Sequence, residues 1–319
     1  MTEPRAQDSI ICKISPVQLH RGYFGEKRHE QQIQGIIFIL LAGLSFASMS
    51  ACVRLAGNVS TFEKAFFRNF VALLITAPMM IKNHVPTKLC RESRRFVWMW
   101  AIFGTVGLVC NYYAIGRINL ADANMLNKMS PFFAVIFSSL LLGERMNLKQ
   151  LPPALGTFAG SLLIIKPSLS NLLLAPAIVG AVGGMGPGAA YTRVQGATTH
   201  GAAKTYVVFF FSAFSTLTML PLALLNFSTP SPEQILWLLL CGVFGACGQF
   251  SITAAYSYAP AREISVYDYS QIIFSALLGL VLFEQIPDAL SFAGYGIIIL
   301  LALINSGQIQ LNKHKKRTV

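Results

Sequence analysis

The sequence predicts an all-α polytopic membrane protein with ten transmembrane helices, built as two inverted five-helix repeats. Composition, the length of the apolar blocks and an internal repeat point there together. Of 319 residues, 54% are hydrophobic and only 12% charged, with a mean hydropathy of +0.56. A soluble domain carries roughly 25% charge. The apolar residues gather in blocks of about 20, enough to cross a hydrocarbon core of about 30 Å. Finally, stretch 107–144 is answered by stretch 245–284. Each has a Gly-spaced apolar helix with one amide in it (Asn111, Gln249), then a short polar break (Ala121-Asp122, Ala261-Arg262). A long apolar run follows in each, closing on a lone Glu (Glu144, Glu284). Internal repeats on this scale in an apolar chain are a mark of membrane transporters.

The blocks read as spans over 35–56, 62–81, 95–116, 120–143, 148–166, 172–192, 204–226, 234–257, 261–283 and 287–305. Glycines and prolines interrupt several of them, as at Gly183-Gly184 and Gly186-Pro187-Gly188. In a bundle such residues let helices approach closely, while neighbours satisfy the freed carbonyls. The runs are continuous rather than alternating, which disfavours a β-barrel. The chain divides into a polar tail (1–34), a first repeat (35–168), a second repeat (172–306) and a basic tail (307–319). Residues 1–34 lack the apolar core of a signal peptide and read as a loosely ordered cytosolic tail.

Charge sets the expected orientation. Most of the 25 Lys and Arg fall on one side if the N-terminus is cytosolic. They lie in the tail (Arg5, Lys13, Arg21, Lys27, Arg28) and the second-to-third loop (Lys82, Lys88, Arg91, Arg94, Arg95). Further ones lie in the later cytosolic loops (Arg145, Lys149, Arg193, Lys204, Arg262) and at the C-terminus (Lys313, Lys315, Lys316, Arg317). Opposite stand only Arg54, Lys64, Arg117 and Lys166. This is the positive-inside pattern, with both termini inside. The pI near 9.6 then reflects topology and anionic lipid. No basic–aromatic stripe on a soluble domain suggests nucleic acid as a partner. The two copies are five spans apart, an odd number, so the second must run upside down relative to the first. Inverted repeats place a substrate site near the midplane and offer a route to alternating access.

Enzyme and metal signatures are missing. The six Cys (12, 52, 90, 110, 241, 247) form no CxxC pair and are expected as free thiols. The five His (20, 29, 84, 200, 314) fall in loops and tails, so no metal cluster is suggested. There is no P-loop, GxSxG or HExxH, so neither an ATP-driven pump nor an enzyme is expected, and no cofactor.

Ten spans, two repeats of five and the segment Thr61-Phe62-Glu63-Lys64-Ala65-Phe66-Phe67-Arg68-Asn69-Phe70 together resemble the EamA-type branch of the drug/metabolite transporter superfamily. Its members are similar in their aromatic–Arg step at this place, in a run like Ala121 to Pro131, and in the Glu closing the fourth and ninth helices. The resemblance covers about residues 35–306. It implies a transporter whose cargo is drawn from amino acids, nucleotide-like metabolites, amines and drugs. The Phe66-Phe67-Arg68 context is similar to members that carry S-adenosylmethionine. The second repeat departs from the pattern: Gln271 stands where the first has Pro131, so a proline kink in the ninth helix is not expected.

Ionisable groups inside spans default to functional candidates because they are costly there. Lys128 lies about 12 Å into its span, with Asn124 one turn earlier on the same face. Asp268 holds the matching place in the second repeat, about 10 Å in from the opposite surface. The pair reads either as a salt bridge locking the repeats or as a cavity pair that opens on substrate binding. Arg68, about 9 Å below the external surface, either snorkels or points inward. Asn111, Tyr112, Tyr113 and Gln249 are polar in apolar spans and could bind substrate or bridge helices. Tyr191 and Tyr267 are expected near the same space, and Glu144 and Glu284 at helix ends. Lys128 and Arg68 against Asp268 leave net positive charge, suiting an anionic or zwitterionic small molecule. The expectation is a secondary transporter of a small polar metabolite in a bacterial inner membrane, surrounded by lipid, monomeric or homodimeric, with proton coupling open to Asp268. The rival is a non-transporting receptor or a channel-like subunit, although no filter motif is visible.

Overall fold

The computed structural model describes residues 24–85, 87, 91–128, 156, 159–160, 162–164, 174–184, 204–258 and 264–315. Every regular element among them is helical. In chain order these are α1 (Phe24–Leu55), α2 (Thr61–Lys82), α3 (Arg91–Ile115), α4 (Leu120–Asn127) and α5 (Leu174–Gly184). There follow α6 (Lys204–Leu225), α7 (Pro232–Tyr258), a 3₁₀ segment (Ser265–Tyr269), α8 (Ser270–Phe283) and α9 (Ala289–Lys315). Among the described residues, five stretches are long and apolar enough to cross a bilayer: Glu30–Leu55, Thr61–Lys82, Val97–Ile115, Thr205–Leu225 and Pro232–Ala255. The expected span 148–166 lies largely outside the described residues, 120–143 does so beyond Lys128, and 172–192 is described over 174–184.

Local chemistry explains the ends. α2 starts in a capping box: Ser60 accepts from the Phe62 N–H, and Glu63 reaches back to the Ser60 N–H. Gly57, at φ +59°, makes the left-handed step between α1 and α2. α1 begins at Phe24, ahead of the expected span and inside the expected loose tail, because Glu26 to Gln34 are nearly all strong helix formers. α9 likewise runs past 306 to Lys315. The expected single helix over 261–283 is corrected: residues 265–269 form a 3₁₀ turn before α8 begins. Gln271 therefore stands just past a helix break that needs no proline.

The exposed surface is apolar in the manner of a lipid-facing bundle, with Ile81, Leu217, Leu225 and Val281 all pointing outward. The main core joins buried residues of all nine of these α-helices, from Met49 in α1 through Met219 in α6 to Ile298 in α9. Helix contacts come in matched sets. The most extensive is α1 on α7. Its counterpart is α5 on α3, where Gly183 lies on the backbone of Gly107 and Asn111. α1 packs on α8; α5 packs on α4, with Gly180 and Gly184 against Leu126. α2 on α7 is answered by α6 on α3. Three contacts answer themselves: α2 with α6, α4 with α8, and Gly160 with Gly294 and Ile298 of α9. Exchanging α1–α4 for α5–α8 leaves this pattern unchanged. Small residues at the crossings permit the close approach.

Candidate functional site

The site is built where α4 ends and where a 3₁₀ turn leads into its counterpart α8. α4 ends after two turns, and Lys128 is its cap, its own N–H bonding back to the Asn124 and Met125 carbonyls. Asp268 sits in the 3₁₀ turn ahead of α8. Lys128 Nζ donates to Asp268 Oδ2 at 2.5 Å. The two side chains are only 12% and 17% exposed. A break in a membrane helix exposes backbone dipoles and a place to bend, and is characteristic of transporter binding sites.

Beside this ion pair lies a neutral cluster. Asn124 Oδ1 accepts from Ser50 Oγ and from Gln271 Nε2, each at 3.1 Å. Asn124 Nδ2 donates to Ser275 Oγ and to the Leu120 carbonyl, each at 3.0 Å. All four polar side chains are buried. The cluster therefore ties α1, α4 and α8 with the Asn124 amide fully used.

Arg68 is the second charged feature. It is 4% exposed, so it does not snorkel to the interface. Its Nη1 donates to Asn69 Oδ1 at 2.6 Å, and its guanidinium lies 5.3 Å from the centre of the Phe211 ring. Among the described residues no carboxylate pairs with it. Two buried polar atoms here lack a hydrogen-bond partner: Arg68 Nε, a donor, and Asp268 Oδ1, an acceptor. Ordinary packing seldom leaves such groups unpaired.

One face of α1 connects the two features. Gly43 lies against Ser270 and Gln271, Phe46 against Gly248, and Met49 against Gly245 beside Arg68. These positions recur at i, i+3 spacing, so this side of α1 meets the start of α8 at Gly43 and lies beside Arg68 at Met49. Gly245 and Gly248 of α7 let Arg68, Met49 and Phe46 pack directly on the helix backbone.

The other predicted residues divide. Asn111 Nδ2 donates to the Ala123 carbonyl at 3.4 Å and so bridges α3 to α4. Tyr112 is fully buried, its hydroxyl 3.4 Å from Cys241 Sγ. Gln249 is half-buried and takes no part in the Asn124 cluster. Tyr267 is 43% exposed and outside both features. Tyr191, Pro131 and Glu144 lie outside the described residues. Glu284 is exposed and caps α8 in a left-handed turn, as expected for a helix-end residue. Ser50, Gln271 and Ser275 were not among the candidates read from sequence: Gln271 entered only as the residue standing where the first repeat has Pro131, and serines recur in many of the apolar blocks. Two buried carboxylates were also passed over as candidates. Asp122 accepts from the Tyr295 hydroxyl at 2.6 Å, and Glu63 accepts from the Ser228 hydroxyl at 2.7 Å. Asp122 entered the sequence reading only as part of the repeat's polar break, and Glu63 only as part of the segment that carries the family resemblance.

A helical bundle of apolar exterior, broken paired helices and buried charges between them defines a multi-pass membrane transporter. The chain belongs to the EamA-like transporter family, whose model matches residues 33–166 and again 175–307. It is 34% identical to the pseudopaline exporter CntI of Pseudomonas aeruginosa (strain UCBPP-PA14), over 85% of this chain and 94% of that protein. It is 25% identical to a riboflavin transporter of Vibrio cholerae, covering 89% and 97% of the two chains. It is 24% identical to mouse solute carrier family 35 member G1, covering 79% and 73%. One crystal structure shares the fold with a TM-score of 0.60 at 18% identity, covering 86% of this chain and 97% of the other.

Proposed function

We propose that this protein is a secondary transporter that moves a small zwitterionic organic metabolite, amino-acid-like or S-adenosylmethionine-like, by alternating access without ATP. The observation that carries the reading is the pair of unsatisfied buried atoms, Arg68 Nε and Asp268 Oδ1. A ligand carboxylate on Arg68 and a ligand ammonium on Asp268 would satisfy both, with charge-assisted hydrogen bonds at each end. Since Lys128 already neutralises Asp268, Arg68 holds the uncompensated charge. Met49 and Gly43 mark the levels of the two features on α1. Six residues separate them, roughly 9 Å at 1.5 Å per residue. That favours a ligand longer than a free amino acid, with its charged groups at opposite ends.

The architecture in this reading is ten spans in two inverted repeats, which the exchange pattern of helix contacts supports. The bacterial inner membrane, cytosolic termini and a monomer or homodimer belong to the same proposal, with the charge bias supporting the orientation. Proton coupling is part of the same proposal and is read by the pH-gradient arm of the transport test. The pseudopaline exporter, as a relative, favours efflux. The test is transport by the purified full chain in proteoliposomes against a metabolite panel, with and without a pH gradient. Zwitterions with separated charges should be carried. Carriage of carboxylate-free cations alone would overturn the substrate reading.

A further inference from the structure

One end of the bundle is stitched shut. The C-termini of α1, α3, α6 and α8 and the N-termini of α2, α4, α7 and α9 gather there. Three contacts, made of four hydrogen bonds, cross between the first and second sets of helices at this level. Gln234 Nε2, from α7, donates to the Ala56 carbonyl at 3.2 Å. The Leu120 N–H, opening α4, donates to Gln285 Oε1 at 3.1 Å. Ser228, in the segment between α6 and α7, gives its hydroxyl to Glu63 Oε2 at 2.7 Å and its N–H to Glu63 Oε1 at 3.3 Å.

The third contact differs in kind from the other two. Glu63 is 1% exposed, and its carboxylate also holds the Ser60 N–H of the capping box. The same side chain thus starts α2 locally and grips the opposite half of the molecule. Next to it, Lys64 is buried and donates to the Gly57 carbonyl at 2.7 Å, fixing the α1–α2 turn. Hydrogen bonds to an ionised acceptor are roughly twice as strong as neutral ones. Beneath this layer Arg68, Tyr112 and Cys241 are all buried, so among the described residues the way past Glu63 is filled by packed side chains. Alternating access requires that route to open.

We propose that the Glu63–Ser228 contact is the latch that holds this end of the transporter closed, and that transport requires it to break. The inference rests on the alternating-access reading but not on the identity of the substrate. The chain carries its own reporter. Cys241 shares one face of α7 with Gly245 and Gly248, about 13 Å below Pro232 at 1.5 Å per residue, and is wholly buried. Opening above it would bring its thiol within reach of water.

The test uses the full chain in right-side-out membrane vesicles, with the other five cysteines replaced by serine. A membrane-impermeant maleimide is applied outside, and the labelling rate at Cys241 is measured. Ser228→Ala should raise that rate about tenfold, the population shift given by losing one hydrogen bond to a charged group. Glu63→Gln, which keeps an acceptor for the helix cap, should raise it as well. Ser228→Thr, which restores the hydroxyl, should label like the parent. An unchanged rate in Ser228→Ala, or equal acceleration in Ser228→Thr, overturns the latch. Because labelling needs no substrate, a failure of the transport panel leaves this result standing, and the reverse also holds.

Discussion

Gln271 donates to Asn124 at 3.1 Å one helical turn from where Lys128 meets Asp268. The neutral pair and the charged pair are therefore neighbouring rungs between the same two broken helices. Ser50 of α1 and Ser275 of α8 complete the neutral rung. It has no free capacity at Asn124, whereas the charged rung keeps an unused carboxylate oxygen. This asymmetry separates a structural tie from a binding group and leads to distinct mutational outcomes.

Lys128→Ala is expected to abolish transport while folded protein is still recovered, because it leaves Asp268 uncompensated at the site. The double exchange Lys128→Asp with Asp268→Lys tells a mere lock from a working pair. Proteoliposome uptake should stay lost in the exchange variant, although its size-exclusion profile is normal. Recovered transport would mean that the pair only fastens the two halves.

Asn124→Ala should act on stability first. It removes the acceptor of the buried Gln271 amide and the interhelical bonds to Ser50 and Ser275, whose hydroxyls keep the Phe46 and Gln271 carbonyls. Interhelical bonds in membrane proteins are individually weak, so the expected loss is about 1–3 kcal/mol in total. A lowered midpoint of thermal unfolding in detergent checks it, and an unshifted midpoint would show that the cluster contributes little.

Arg68→Gln removes the uncompensated cation. In a competition panel, carboxylate-bearing zwitterions should lose at least tenfold in apparent affinity, while neutral compounds change little, as charge-assisted pairing implies. If carboxylate-free cations are the sole competitors of the unmodified protein, the positive site is wrong and Asp268 alone would bind cargo.

Gly242 sits on the Cβ of Val71, where α7 crosses α2. A methyl group there meets a stiff β-branched side chain at its root, so the backbones must separate. Gly242→Ala should therefore destabilise the fold by about 1–3 kcal/mol, as overpacking does. Denaturation in detergent measures it. Gly296, with open space around its Cβ position, is the control and should tolerate Ala.

An experimental structure should superpose residues 35–168 on 172–306 by a rotation near 180° about an axis in the membrane plane. The exchange pattern of the helix contacts is the motive. A parallel superposition would remove the basis for alternating access by repeat inversion.

Apolar blocks, small residues and the internal repeat made the membrane bundle and the transporter class legible in the sequence, and the Thr61–Phe70 segment with the two repeats carried the resemblance to the family. Those properties are local or periodic, and hydrophobic partition into a bilayer depends on little else. The matching places of Lys128 and Asp268 could also be read from the repeat. Tertiary structure decided what each polar side chain does. Burial turned Arg68 away from the interface, and the 3₁₀ turn at Asp268 appeared where a continuous helix was expected. Asn111 proved to bond the Ala123 carbonyl, and Glu63 to grip Ser228 from 165 residues away. A hydrogen bond is directional and ends within about 3 Å, so its partner depends on how helices rotate and cross. Hydropathy fixes that a segment enters the membrane; only packing fixes which face it turns inward.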